Sequence, residues 1–361
     1  MTLERTRDIG LDHVRALAAF TVFGWHFMHF ANGYPVPFEG APLIFPLALL
    51  DEGHTGVSLF MSLSGYLFAK ILDGKIVNYP AFLSRRAIRL LPLLFAMLIV
   101  EAVRQFFVGA DLHAYLRSLV AGIVQPTLPN GAWSLTVEFH FYALLPLLLY
   151  LLRKSPAALL GVVLAAMFLR TALFFKDGTV FWHSYWTIVG RIDQFVFGIL
   201  GYHFRTVIVT RHRRAAALAL AFLIFYYFYN RSGGLYQMPS WPSTSPLWIV
   251  MPSIEGATYG LLIAYYDGSF NHSQGLISRF ISNIGKYSYS IYLWHFLIVF
   301  HMADFVHTRI TDISYYYTGQ LWALICFLVL VPFAYISYKI FEEPFMKRGL
   351  SYSSRKTNEG A

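Results

Sequence analysis

Leu11-Asp-His-Val-Arg-Ala-Leu-Ala-Ala-Phe-Thr-Val-Phe-Gly-Trp-His-Phe-Met-His-Phe30 contains an apolar stretch from Val14 to Phe30 that carries both Arg15 and His26. Eleven helical steps of about 100° return the second side chain to within about 20° of the first, roughly 16 Å farther along the axis. Both therefore face one way. An ionisable group in hydrocarbon is costly unless it faces protein or water, so the pair predicts an interior site in a membrane-embedded helix.

The rest of the chain agrees with that class. Of 361 residues, 57% are hydrophobic, 18% aromatic and only 13% charged, which excludes an ordinary soluble domain. Runs long enough for a bilayer core occur at 13–33, 54–72, 88–108, 133–152, 157–175, 187–205, 214–230, 247–266, 286–306 and 319–341. The expected fold is an all-α polytopic membrane protein with about ten transmembrane helices in one bundle. With the amino terminus cytoplasmic, the inner segments hold nineteen Lys and Arg and the outer segments five, which orients the bundle with both termini in the cytoplasm. The net charge of +9 is thus topogenic, and nucleic-acid binding drops out. The polar segment before the first run, and the lack of a small-residue cleavage site in it, predict a retained anchor. Cys326 is the only cysteine, so no intramolecular disulfide is possible.

One integral domain over 1–349 and a disordered cytoplasmic tail over 350–361 are expected. Residues 73–89 read as a cytoplasmic connection ending in a basic amphipathic stretch at the membrane interface. The piece from Tyr115 to Val124 is too short to cross and predicts a re-entrant or surface helix. Ser232 to Pro246, rich in Gly, Pro and Ser, with Trp241 and no charge, reads as a structured outer loop.

Several local patterns, taken in order, resemble the acyltransferase family 3 membrane enzymes. These are Arg15 with ten residues before His26; Gly56-Val-Ser-Leu-Phe-Met-Ser-Leu-Ser-Gly-Tyr-Leu67; Arg86, Arg89 and Pro92; and Trp133-Ser-Leu-Thr-Val-Glu138 with Phe141-Tyr142. Arg191-Ile-Asp-Gln-Phe-Val-Phe-Gly198, Gly285-Lys-Tyr-Ser-Tyr-Ser-Ile-Tyr-Leu-Trp-His295 and Phe341-Glu-Glu-Pro344 follow. The resemblance implies transfer of an acyl group, most often acetyl from acetyl-CoA, to a hydroxyl of an exported polysaccharide or other acceptor, in a bacterial inner membrane. Acyl-CoA is then a co-substrate; no tightly bound cofactor and no metal is expected, and the partners are the glycan acceptor and membrane lipids.

His26 is the expected catalytic base, since imidazole can take a hydroxyl proton near neutral pH. It could equally accept the acyl group and relay it. Arg15 could hold the donor's phosphate or carbonyl, or snorkel to lipid phosphate, or pair with Asp12. Arg86 and Arg89, three apart on a helix, could engage the phosphates of coenzyme A or those of lipid headgroups; the family motif favours the donor. Glu138 is expected toward the outer leaflet, orienting His26 or binding the acceptor, with an interhelical ion pair as its rival. Arg191 and Asp193 read as structural. His140 and His295 are further polar residues within the apolar runs, and His29 and His301 read as packing or interface residues. The resemblance implies a donor-site role for Glu342, which position alone would call a solvated helix end. A proton-coupled transporter and a haem or metal protein are the rival classes; the histidines lack a ligand spacing such as His-Glu-x-x-His.

Overall fold

A computed structural model of the protein describes residues 8–29 and 42–347 and the backbone of 353–355. The first helices in chain order are α1 (Ile9–Met28), α2 (Ala48–Asp51), α3 (Thr55–Leu72), α4 (Tyr79–Phe107), α5 (Leu112–Ala121) and α6 (Trp133–Lys154). They are followed by α7 (Pro156–Asp177), α8 (Phe181–Trp186), α9 (Ile188–His203), α10 (His212–Arg231) and α11 (Gly234–Gln237). The last are α12 (Met251–Ser269), α13 (Leu276–Lys286), α14 (Ser288–Arg309), α15 (Tyr316–Phe341) and α16 (Glu343–Lys347).

Within the described residues, each of the ten apolar runs is occupied for most of its length by a helix. Six of these helices, α3, α4, α6, α7, α14 and α15, are long and apolar enough to cross a membrane. The other four, α1, α9, α10 and α12, are not by that measure. α9 has only 16 residues, α1 and α12 carry ionisable groups within their length, and α10 is rich in tyrosine. Residues such as Asp12, Asp193 and Glu255 are buried against neighbouring helices, so the polarity that lowers the hydropathy of α1, α9 and α12 is paired inside protein.

The helix ends follow from local chemistry. The Asn78 side chain accepts from the Ala81 N–H at 3.1 Å and Pro80 enters the first turn, which together start α4. Ser155 and Pro156 start α7 in the same way, and Gly178 at φ +71° closes it. α7 turns Leu164, Phe168 and Phe175 outward, as a lipid-facing helix does.

At the centre, α3, α9 and α12 pack with backbones almost touching. A Cβ on Gly198 would stand 2.0 Å from the Ser62 carbonyl oxygen, and one on Gly65 would stand 2.0 Å from that of Phe195. Only glycine permits this approach. α1 is held between α3, α13, α14 and α15, so the Arg15 and His26 face is enclosed by protein, as the opening stretch predicts.

Three local expectations change. The basic stretch before the third run is not a separate interfacial segment: α4 runs unbroken over 29 residues with Pro92 inside it, carrying Arg86 and Arg89 into the bundle. An amphipathic helix, α13, lies in what reads as a connection; its Ser282, Ile284 and Gly285 are buried while Leu276 and Ile277 point outward. Within the expected disordered tail, Ser353–Arg355 pairs antiparallel with Lys75–Val77, Lys75 opposite Arg355. The rest of that tail, and Arg5, Arg7, Arg348 and Lys356 of the charge count, lie outside the described residues. The short helix α5 takes the place expected for the non-crossing piece near Tyr115.

Candidate active site

Two cavities meet inside the bundle. The larger, about 830 Å³, is lined by His26, His29 and His295 and by a ring of aromatic residues. The smaller, about 130 Å³, is lined by Arg15, Arg86, Arg89 and Glu138. Val57 and Tyr292 line both, so these two side chains form the partition. Tyr292 is fixed there: its hydroxyl accepts from Ser134 Oγ at 2.7 Å and donates to the Gly131 carbonyl at 2.9 Å.

α1 and α14 bring His26 and His295 together. His26 Nδ1 lies 2.9 Å from the Val22 carbonyl, and His295 Nδ1 lies at hydrogen-bond distance, 2.5 Å, from the Tyr292 carbonyl. A carbonyl oxygen can only accept, so in the neutral rings both Nδ1 atoms carry the proton. His295 Nε2, 3.3 Å from His26 Nδ1, then accepts a second share of the same proton. That leaves the lone pair of His26 on Nε2, which has no hydrogen-bond partner among the described residues. A ring held at Nδ1 with a free Nε2 over a large cavity is the arrangement a general base or nucleophile requires.

α4 delivers the arginines. Arg86 is 8% exposed, and its guanidinium lies 4.9 Å from the centre of the Phe68 ring and 5.6 Å from that of Phe82. The Nε atoms of Arg86 and Arg89 are buried without a hydrogen-bond partner, and among the described residues neither side chain forms an ion pair. Arg15 lines the same cavity while its Nη1 pairs with Asp12 at 2.5 Å, so its rival structural contact and its access to the cavity coexist. Unpaired guanidinium groups in a buried pocket call for an anion.

Glu138 lines the arginine cavity and stands apart from His26. α6 runs from one cavity to the other, with Trp133 in the wall of the histidine cavity and Glu138, five residues on, in the wall of the arginine cavity. Its carboxylate accepts from the Tyr142 hydroxyl and does not line the cavity of His26. The two adjacent acids after α15 separate cleanly. Glu342 is fully buried and accepts from Ser290 Oγ at 2.6 Å, while Glu343 faces outward and pairs with Lys339 at 2.7 Å. Burial pushes the Glu342 carboxyl up to about 7, against the Ser290 hydrogen bond and the charges of Arg89 and Lys286. Glu342 thus stands behind the arginine cavity without lining it.

The remaining polar residues build the frame. Arg170 pairs with Asp193 through Nη2 at 2.7 Å and Nη1 at 3.2 Å, fully buried, in keeping with the structural reading of Asp193. Arg191 donates to Ser58 Oγ and to the Tyr185 carbonyl. His29 lies 3.3 Å from Asp51 and 3.0 Å from its carbonyl. His301 is exposed, and His140 has a buried, unpartnered Nδ1. Among the described residues no three His, Cys, Asp or Glu side chains gather as a metal site.

Sequence reasoning missed two groups. Glu255 is buried and accepts from Thr55, Tyr226, Ser58 and Gln194 at 2.6, 2.7, 2.8 and 3.0 Å, tying α3, α9, α10 and α12 together. The signal was present: an acid inside the eighth apolar run. The second group is the aromatic wall of Trp186, Tyr236 and Trp241, for which the chain offers no periodic cue.

With the geometry in hand, similarity to known proteins fixes the family. A family model described as an acyltransferase domain matches residues 8–339. The chain belongs to acyltransferase family 3. A Staphylococcus aureus (strain COL) protein named as a "putative O-acetyltransferase" is 25% identical over 94% of this chain and 58% of its own length. BcsY of Komagataeibacter xylinus, named as a "putative membrane-bound transacylase", is 26% identical over 87% of this chain and 80% of its length. The peptidoglycan O-acetyltransferase OatA of Listeria monocytogenes is 24% identical over 94% of this chain and 56% of its length. The chain therefore spans a little over half the length of the staphylococcal and listerial relatives. No solved structure matches.

Proposed function

We propose that this protein is a multi-pass membrane O-acyltransferase that moves an acyl group, most simply acetyl, from a coenzyme A thioester to a glycan hydroxyl. The observation that carries the reading is the pair of adjoining cavities: one with unpaired arginines, the other with an imidazole whose Nε2 is free. Arg86 and Arg89, with Arg15, would hold donor phosphates by charge-assisted hydrogen bonds. The arginine cavity, about 130 Å³, would take the diphosphate and the start of the thin thioester arm, with the adenosine outside.

His26 Nε2 takes the proton of the acceptor hydroxyl as its oxygen attacks the thioester carbonyl carbon. The C–S bond then breaks, and the imidazolium returns its proton to the departing thiolate. His295 and the Val22 carbonyl hold the ring in the tautomer this needs. In a second version Nε2 attacks the thioester carbonyl first and the thiolate leaves and takes up a proton; the acceptor hydroxyl then attacks the acyl-imidazole, gives up its proton and frees the ring. Family membership weighs against the transporter and metal readings. The orientation, with both termini and the donor side cytoplasmic in a bacterial inner membrane, belongs to the same proposal.

Mass spectrometry of envelope glycans from cells with and without the protein tests it. The proposal predicts loss of a single acyl mass from one glycan; identical spectra, with no acyl-CoA consumed by the purified protein, would reject it.

A further inference from the structure

The two cavities differ sharply in charge. Arg15, Arg86, Arg89 and Glu138 all line the smaller one, whereas among the described residues no Lys, Arg, Asp or Glu lines the larger. The larger is instead lined by aromatic side chains. Trp25 stacks on Tyr236 at 5.3 Å and 11°, with Trp241 beside it at 5.1 Å, and across from them Trp133 meets Trp186 at 4.6 Å. Tyr236 and Trp241 come from the charge-free segment 232–246, outside the motifs that carry the family resemblance. Trp241 remains 45% exposed, so its packing within the protein leaves indole surface open.

We propose that Trp186, Tyr236 and Trp241 form a stacking subsite for an uncharged sugar ring, which presents its hydroxyl to His26. The inference rests on the acyl-transfer reading only for the identity of the reacting hydroxyl. A pyranose offers apolar C–H faces that fit flat aromatic surfaces, and its hydroxyls need only a few polar partners, here Gln237 and the histidines. A uronate or phosphate would enter with no Lys or Arg among the described lining residues to meet it, and burying such a charge unpaired is expensive. The cavity volume, about 830 Å³, falls in the range of about 300–1,000 Å³ typical of enclosed small-molecule sites. The division of charge thus sorts the substrates: the anionic donor to the arginines, the neutral acceptor to the aromatic wall.

The test is equilibrium binding to the full chain in lipid nanodiscs, with radiolabelled tetrasaccharides of glucose, galactose, mannose and N-acetylglucosamine, and with tetragalacturonate. At least one uncharged tetrasaccharide should bind, and tetragalacturonate should bind at least about tenfold more weakly. Trp241→Ala should weaken the neutral sugar about tenfold, Trp241→Phe should restore most of it, and neither should alter coenzyme A binding. The proposal is overturned if no uncharged sugar binds, if tetragalacturonate binds as well, or if Trp241→Ala is silent, in which case the indole is an interfacial anchor. Sugar binding without acyl-CoA turnover would sink the enzymatic reading while leaving the subsite standing.

Discussion

Arg89 brings a guanidinium into a buried cavity and finds no carboxylate at ion-pair distance among the described residues. Arg89→Ala should weaken coenzyme A binding about 10- to 100-fold, the worth of charge-assisted hydrogen bonds to phosphate, as read by isothermal titration. Unchanged affinity would remove it from the donor site. Glu342 makes a second residue-scale prediction. Its carboxyl, raised to about 7 by burial, keeps a proton in the folded protein that the unfolded chain releases at lower pH. Stability must therefore fall as pH rises from the ordinary carboxylate range through about 7. Glu342→Gln lacks that loss, so the melting temperature of the wild type relative to this variant should drop between about pH 5 and pH 8. Parallel melting curves would contradict the assignment. At this scale the sequence was most legible where a charge stands out from apolar surroundings, as with Arg15 and His26. Trp241 was illegible as a site residue because aromatic residues make up 18% of the chain and nothing local marks which of them share a cavity.

Helices were legible where the chain is apolar, but only six of the expected ten are long and apolar enough to cross a membrane, and their mutual placement was poorly legible. Length and hydropathy account for six of the helices, α3, α4, α6, α7, α14 and α15, whereas α1, α9 and α12 depend on pairing their polar groups inside the bundle. Which cavity a residue reaches depends on the tilt and neighbours of its helix. Glu138 shows the difference, since α6 crosses from one cavity to the other within five residues. The basic amphipathic stretch before Pro92 likewise read as interfacial on its own, yet its arginines continue α4 into the bundle. The α3–α9 crossing yields a prediction. A Cβ on Gly198 would lie 2.0 Å from the Ser62 carbonyl oxygen, which belongs to backbone and cannot swing aside. Gly198→Ala should destabilise by about 1–3 kcal/mol or more, seen as a lower melting temperature in size-exclusion thermal assays. A wild-type melting temperature would mean the helices stand farther apart.

For the whole molecule, the consequence of the fold is two adjoining chambers of opposite character. α1 links them, with Arg15 on the arginine cavity and His26 on the aromatic one, and the partition of Val57 and Tyr292 stands between. The eleven-residue separation of that pair translates directly into one helix face serving both chambers. The proposed function turns on His26 Nε2 performing the proton or acyl transfer at this junction. Its most direct test is acetyl transfer by the purified protein in nanodiscs, His26→Ala beside wild type, with coenzyme A binding measured on the same preparations. With His26 in that role, kcat should fall about 10²- to 10⁴-fold with coenzyme A affinity unchanged. A His26→Ala variant that turns over at the wild-type rate would contradict it.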